Sequence, residues 1–237
     1  MATAMTGAGR VERFWQRLAI GLAIFIILGF VQFALRGFAD PVAAPWWVHL
    51  HGAAMLAWLG LLIVQPMLAM RGDMAQHRLL GRIGGGLAAF IVLLGIFTGC
   101  AALALHRFPP FFAPPYFLAL TATESIVFGA MVWSAIRRRR TTDWHRRLMI
   151  GATIIILEPA LGRLLPIPIM GPWAEPAVAL GQLSVVAIVA AYDRRTLGQV
   201  HRATWIVAAV VIATRIAISL LATTPPVVAL AERLTGG

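Results

Sequence analysis

Long apolar stretches separated by short polar connections dominate this chain of 237 residues. Each stretch is 17 to 25 residues long, near the length that a helix needs to cross the bilayer core. The pattern predicts an all-α membrane protein, a bundle of seven transmembrane helices in a single domain covering residues 1–237. The predicted helices are 18–35, 46–70, 83–105, 116–136, 148–169, 176–192 and 203–222.

Arginine is distributed unevenly over the connections. Those on the side of the N-terminus carry fifteen of the twenty arginines, and this asymmetry predicts a cytoplasmic N-terminus and an outer C-terminus. A bacterial inner membrane is the expected location. The fifteen are Arg10, Arg13, Arg17, Arg71, Arg78, Arg82, Arg137, Arg138, Arg139, Arg140, Arg146, Arg147, Arg194, Arg195 and Arg202.

The same arginines explain the formal net charge of +11. In a soluble protein this charge would suggest nucleic acid, but here the basic residues border the membrane surface. No basic stripe interleaved with aromatic residues supports nucleic-acid binding. We expect contacts with anionic lipid headgroups from Arg78, Arg82, Arg146, Arg147 and Arg202.

Missing residue types exclude several functions. The chain has no lysine, which excludes a retinal Schiff base, pyridoxal chemistry and the Walker phosphate loop. Its single cysteine, Cys100, cannot form an intrachain disulfide or ligate an iron–sulfur cluster alone. Helix three carries two Gly-x-x-x-Gly pairs, which permit close packing within the bundle and, as a weaker alternative, a homodimer seam.

A His-Arg dipeptide recurs at the cytoplasmic start of three predicted helices, and its histidines are His77, His145 and His201. Imidazole and guanidinium groups that converge at one membrane face could ligate a metal or haem, or bind an anionic headgroup. The alternative is an ordinary interfacial position for both residue types. We expect the three rings to lie at one depth, at least two of them within haem-ligation reach.

Three ionisable residues fall deep inside predicted helices. Helix rise places Glu124 about 12 Å from the outer end of helix four. It places Glu158 about 15 Å inside the cytoplasmic end of helix five and Arg215 about 18 Å from the cytoplasmic start of helix seven. A charge at such depth costs at least about 2.5–3.5 kcal/mol, so it should face the interior and be paired. We expect Glu158 to pair with Arg215, directly or through water, and Glu124 to join them, as a proton or substrate site or as a purely structural ion pair.

Two histidine motifs resemble those of cytochrome b561-type haem proteins: His51-Gly52-x-x-Met55-x-x-Trp58 and His77-Arg78-x-Leu80-Gly81-Arg82. The resemblance covers about a third of the chain and implies b-type haems, each held between histidines two helices apart. His77 and His145 fit one such pair, with His201 nearby, whereas helix four has no histidine to face His51. His106 ends helix three at the level of His51, about 44 Å along the helix from His77. The chain also resembles bacterial multi-pass inner-membrane proteins with His-Gly and His-Arg-x-Leu-Gly-Arg signatures. This second resemblance does not indicate which activity the chain has.

The sequence is compatible with two main functions. The first is a membrane redox protein that binds haem b between His77 and His145. The second is a small-molecule or proton-coupled transporter, or a lipid-interacting protein, with Glu124, Glu158 and Arg215 in a midplane site. An enzyme with a histidine-ligated metal is a weaker third, because few carboxylates accompany the inner histidines.

Overall fold

The computed structural model describes residues 7–236, with side chains from residue 11 onward, so the side chain of Arg10 lies outside the described residues. Ten α-helices and no strand are present in this described part of the chain. The helices are α1 Gly7–Leu35, α2 Trp46–Met70, α3 Met74–Ala104, α4 Pro114–Arg137, α5 Thr142–Ile155, α6 Glu158–Leu164, α7 Ile167–Met170, α8 Ala174–Leu197, α9 Arg202–Leu221 and α10 Pro225–Thr235.

Six segments of the described chain are long and apolar enough to cross a membrane. They comprise the long helices α1, α2, α3, α4 and α9, together with a segment that ends with α8. The chain is therefore an all-helical, multi-pass membrane protein by the length and composition of its helices.

The predicted fifth helix, 148–169, is not continuous. It divides into α5, α6 and the single turn α7, with Ile156 and Leu157 between the first two. Pro159 explains this break, because proline has no N–H to donate to the preceding turn and its ring displaces that turn's carbonyl. The side chain of Gln182 supplies a donor at the break: its Nε2 donates to the carbonyls of Ile154 and Ile155, both at 2.9 Å. The carbonyl of Ile154 also accepts from the N–H of Leu157 at 3.2 Å.

The chain divides into two compact units, residues 1–90 and 91–237, with the boundary inside α3. In the first unit α1 packs against α2. The buried side of α1 is lined by Trp15, Ala19, Leu22 and Ile26 at a spacing of three to four residues, which places them on one helical face.

In the second unit α4 packs against α5, α9 and α10, and α8 packs against α9. The hydropathy pattern did not predict α10, since eleven residues are too few for a span. This helix buries Ala231 in an apolar cluster with Leu103 and Leu118 at the end of the unit where α3 ends and α4 begins. The core of this unit, between α4, α5, α8 and α9, contains the buried charged residues.

Candidate functional site

One buried charged contact of the second unit joins α4 to α9. Glu124 lies about 15 Å along α4 from its first residue, and Arg215 about 20 Å along α9. The Nη2 group of Arg215 donates to Oε1 of Glu124, and only 7% of each side chain is exposed. Two helices that pack directly therefore have their opposite charges matched in depth.

A second carboxylate reaches the same guanidinium. Glu175, in the first turn of α8, places Oε2 3.6 Å from Nη1 of Arg215, and 32% of its side chain is exposed. The hydroxyl of Tyr116, at the start of α4, donates to the other oxygen of Glu175. Arg215 is thus shared between a buried carboxylate and one that reaches the surface.

Glu158 is the third carboxylate of this region, and it is only 6% exposed. It is the first residue of α6, directly after the helix break, and its Oε1 lies beside Gly162 on the same helix. Within the described residues no cation lies inside 4.0 Å of its carboxylate. Arg163, Glu175 and Tyr116 lie within electrostatic range of its carboxylate.

The expected direct pair of Glu158 with Arg215 does not form among the described residues, because Arg215 pairs with Glu124 and Glu175 instead, and a water-bridged pair stays a prediction. The expectation assumed one continuous helix from Leu148, and the break at Pro159 removes that assumption. Glu175 was missed because it stands one residue before the predicted sixth span. An acidic residue at the start of an apolar run is the signal that could have identified it.

A second buried charge cluster lies where α5, α8 and α9 meet. Nε and Nη2 of Arg147 contact Asp193 at 3.1 and 2.5 Å, and Nη1 donates to the carbonyl of Asp143 at 2.8 Å. Asp193 also accepts from the hydroxyl of Thr204 at 2.5 Å and from the N–H of His201 at 3.1 Å. Asp193 is fully buried and Arg147 is 3% exposed.

Arg147 therefore cannot contact lipid headgroups as predicted, because its guanidinium is used inside the protein. The other predicted headgroup contacts differ among themselves. Arg78, Arg82 and Arg202 are exposed, whereas Arg146 is half-buried and lies 3.3 Å from the carboxylate of Asp143.

The three His-Arg histidines occupy different local environments. The Nδ1 atom of His145 lies 2.9 Å from the carbonyl of Ala135, which matches the second hydrogen bond of a metal-ligating histidine. The Nδ1 atom of His201 instead accepts the N–H of Ala203, 3.0 Å away, as the N-cap of α9. That bond places the proton on Nε2, which is the wrong tautomer for binding iron there.

The Nδ1 atom of His77 lies 3.3 Å from the backbone carbonyl of Gln65, to which it donates in one of its two tautomers. When the amide of Gln65 is turned to satisfy both of its groups, it donates to Nδ1 of His77 at 2.7 Å and accepts from Gly81. His77 belongs to the first unit and His145 to the second, so their convergence stays a prediction.

The remaining predicted ligands are His51 and His106. Nδ1 of His51 is buried without a hydrogen-bond partner among the described residues. His106 follows the end of α3, is exposed, and has the left-handed φ of 51°.

Within residues 11–236 no three His, Cys, Asp or Glu side chains form a group that could hold a metal ion. No protein-family model, curated protein or solved structure matches the chain. The arrangement of its own residues therefore carries the functional argument.

Proposed function

We propose that this chain is a membrane transport protein whose site is formed by Glu124, Glu175 and Arg215, with Tyr116 at its surface side. The observation that carries the proposal is the sharing of one buried guanidinium between two carboxylates of unequal exposure. A purely structural pair needs only one carboxylate. A second, partly exposed carboxylate at 3.6 Å offers an alternative partner when a ligand or ion competes.

The broken helix beside this site supports the same proposal. Interrupted helices are a recurrent feature of transporter binding sites, because non-helical backbone at membrane depth is tolerated where it lines a site or is buried in protein. In the proposed arrangement α5 and α6 form a further, discontinuous crossing beside the six continuous ones. The second half of this crossing, α6, packs against α8, which carries Glu175.

Ligand-induced stabilisation tests the proposal. Purified protein in detergent is heated with a panel of small charged solutes: amino acids, organic cations, polyamines and carboxylates. A solute at a hundred times its Kd should add about 2.7 kcal/mol to stability. The Glu124→Gln/Arg215→Gln double variant should lose this effect, and Arg233→Gln, a change at an exposed residue of α10, should keep it. Equal stabilisation of the double variant and the unmodified protein would contradict the proposal.

The proposed orientation has the N-terminus in the cytoplasm of a bacterial inner membrane and the C-terminus outside. Exposed Arg78, Arg82 and Arg202 would then contact anionic headgroups on the cytoplasmic side. Reporter fusions at Thr141 and Pro109 should report opposite sides of the membrane. A common side for both positions would overturn the orientation.

A haem b redox protein is the second candidate, and one observation favours it. His145 has the hydrogen-bonding arrangement of an iron ligand. His201 uses Nδ1 as an acceptor, so ligation by His201 would require a change of tautomer, whereas Nδ1 of His77 can also donate to the backbone carbonyl of Gln65. Absorption spectra of the purified protein, oxidised and dithionite-reduced, decide this candidate: haem bands lost in His145→Ala support it, and their absence from the unmodified protein excludes it.

A further inference from the structure

We propose that the transport site exchanges a proton and that Glu158 is the residue that carries it. This inference rests on the proposed function and adds the coupling ion and its carrier. It follows from the contrast among the three carboxylates of the site. Glu124 and Glu175 each accept a hydrogen bond from a side chain, whereas Glu158 is just as deeply buried as Glu124 and has no cation within 4.0 Å in the described part of the chain.

The balance of charges points the same way. Three carboxylates, Glu124, Glu158 and Glu175, accompany the guanidinium of Arg215, which pairs with the first and the last. Arg163, a further cation of the region, directs Nη1 to the carbonyl of Pro159 at 2.7 Å. Even with both guanidinium groups counted, these five residues have one negative charge in excess. Since an uncompensated charge in a low dielectric is costly, a proton on one carboxylate removes the excess, and Glu158 is the one without a competing bond.

Glu175 provides the access to Glu158. Its side chain is 32% exposed, although Oε2 is buried. In this proposal Glu175 exchanges protons with the aqueous side, and Glu158 lies within electrostatic range of Glu175 and Tyr116. In the transfer step an O–H bond of protonated Glu175 breaks and an O–H bond on Glu158 forms. Net charge is unchanged, and no other reactant is needed. Four groups face this step: Tyr116 from α4, Glu175 from α8, Arg215 from α9, and Arg163 from α6 itself.

Infrared difference spectroscopy of the full chain in lipid vesicles tests the assignment. We expect the C=O stretching band of a protonated carboxylic acid, which disappears as the pH is raised and shifts within minutes of transfer into D₂O. Glu158→Gln should remove this band. Glu232→Gln, a matched change at an exposed glutamate of α10, should leave it in place. Glu158→Asp, which keeps the carboxyl group, should retain the band at a shifted frequency and covers the case in which the glutamine variant does not fold.

Three results would overturn the inference: no such band in the unmodified protein, a band that Glu158→Asp leaves unshifted, or a band that fails to exchange in D₂O. The third result would identify a sealed structural acid. The solute panel separates the two proposals. An exchanging Glu158 band without stabilisation by any solute leaves the proton site standing and rejects the transport site. Stabilisation by a solute, together with a band that is unchanged in Glu158→Gln, supports the transport site and rejects the proton site.

Discussion

The two buried arginines of the second unit, Arg147 and Arg215, differ in how completely their hydrogen bonds are satisfied. Asp193 receives hydrogen bonds from Arg147, Thr204 and His201, so both of its oxygens are used. Nε and Nη1 of Arg215 have no hydrogen-bond partner in the described part of the chain, and the contact with Glu175 is an ion pair at 3.6 Å.

Native proteins leave few buried polar groups unsatisfied, and the exceptions call for an explanation. The cluster around Arg147 and Asp193 has the completeness expected of a group that fixes three helices together. The cluster around Arg215 has spare bonding capacity next to a surface-reaching carboxylate, which is what exchange of a partner requires. The contrast favours a structural role for the first cluster and a binding role for the second.

The largest effect should come from the satisfied cluster. Asp193→Asn removes the buried counter-charge of Arg147 and leaves only the exposed carboxylate of Asp143 nearby, so we expect a loss of about 3–5 kcal/mol in the free energy of unfolding. Asp143→Asn should cost at most about 1 kcal/mol, because this carboxylate is largely exposed. Thermal unfolding in detergent measures both, and equal losses would remove the distinction between the two carboxylates.

The next effect should come from the Arg215 cluster. Glu124→Gln should cost about 1.5–3 kcal/mol, less than Asp193→Asn, because Glu175 remains as a partner for Arg215. A double-mutant cycle with Arg215→Gln should show coupling of about 0.5–3 kcal/mol. Additive losses would mean that the two side chains are not coupled in solution, and the contrast between the clusters would lose its basis.

The helix break lies between these clusters, and substitutions there should lower the stability less. Gln182→Leu keeps a buried side chain of similar size but removes the amide that donates to the carbonyls of Ile154 and Ile155. The carbonyl of Ile154 keeps the N–H of Leu157 as a donor at 3.2 Å, so the loss falls mainly on Ile155. We expect a loss of about 1–3 kcal/mol. The control is the same change at Gln76, an exposed glutamine of α3, where Gln76→Leu should change the thermal midpoint little. Similar losses from both changes would argue against the donor role.

The smallest effect concerns pH. Burial, and then the nearby charge of Arg147, lower the pKa of His201 below its ordinary value of 6.5. The unfolded chain therefore binds this proton more readily, so stability should fall as the pH drops from about 6.5 towards the lower folded pKa. His201→Asn keeps an N-cap acceptor without a titrating group and should flatten this dependence. An unchanged pH profile in that variant would assign the titration to another group.

Hydropathy predicted most of the helices because span length and apolar composition depend on local sequence alone. The second predicted helix, 46–70, coincides with α2, and the helices around 116–136 and 203–222 differ from α4 and α9 by one or two residues at each end. The break after Ile155 could not be located this way, because an apolar run has the same composition whether or not its backbone bonds are intact. Pro159 indicates from the sequence where the helix can break, but it does not indicate that the amide of Gln182 donates to the carbonyls there.

The partners of the buried charges were harder to predict than their burial. Glu124 and Arg215 were identified from depth, since any charge inside an apolar span needs a partner. Which carboxylate pairs with which arginine depends on helix rotation and on the approach of α8, and neither property is encoded locally. Asp193 illustrates the limit, because its main partner is Arg147, an arginine that the sequence placed at the lipid surface.

The amide of Gln182 has one permitted orientation. The carbonyl of Ile155 needs a donor, so Nε2 must face the break, and Oε1 is left buried without a hydrogen-bond partner in the described residues. A glutamate at position 182 would place a carboxylate, which only accepts hydrogen bonds, against the carbonyls of Ile154 and Ile155, which also only accept. Replacing Pro159 with a residue that has an N–H would let the backbone close its own bond and make the glutamine dispensable. Positions 159 and 182 should consequently vary together in natural sequences, each choice at one restricting the choices at the other.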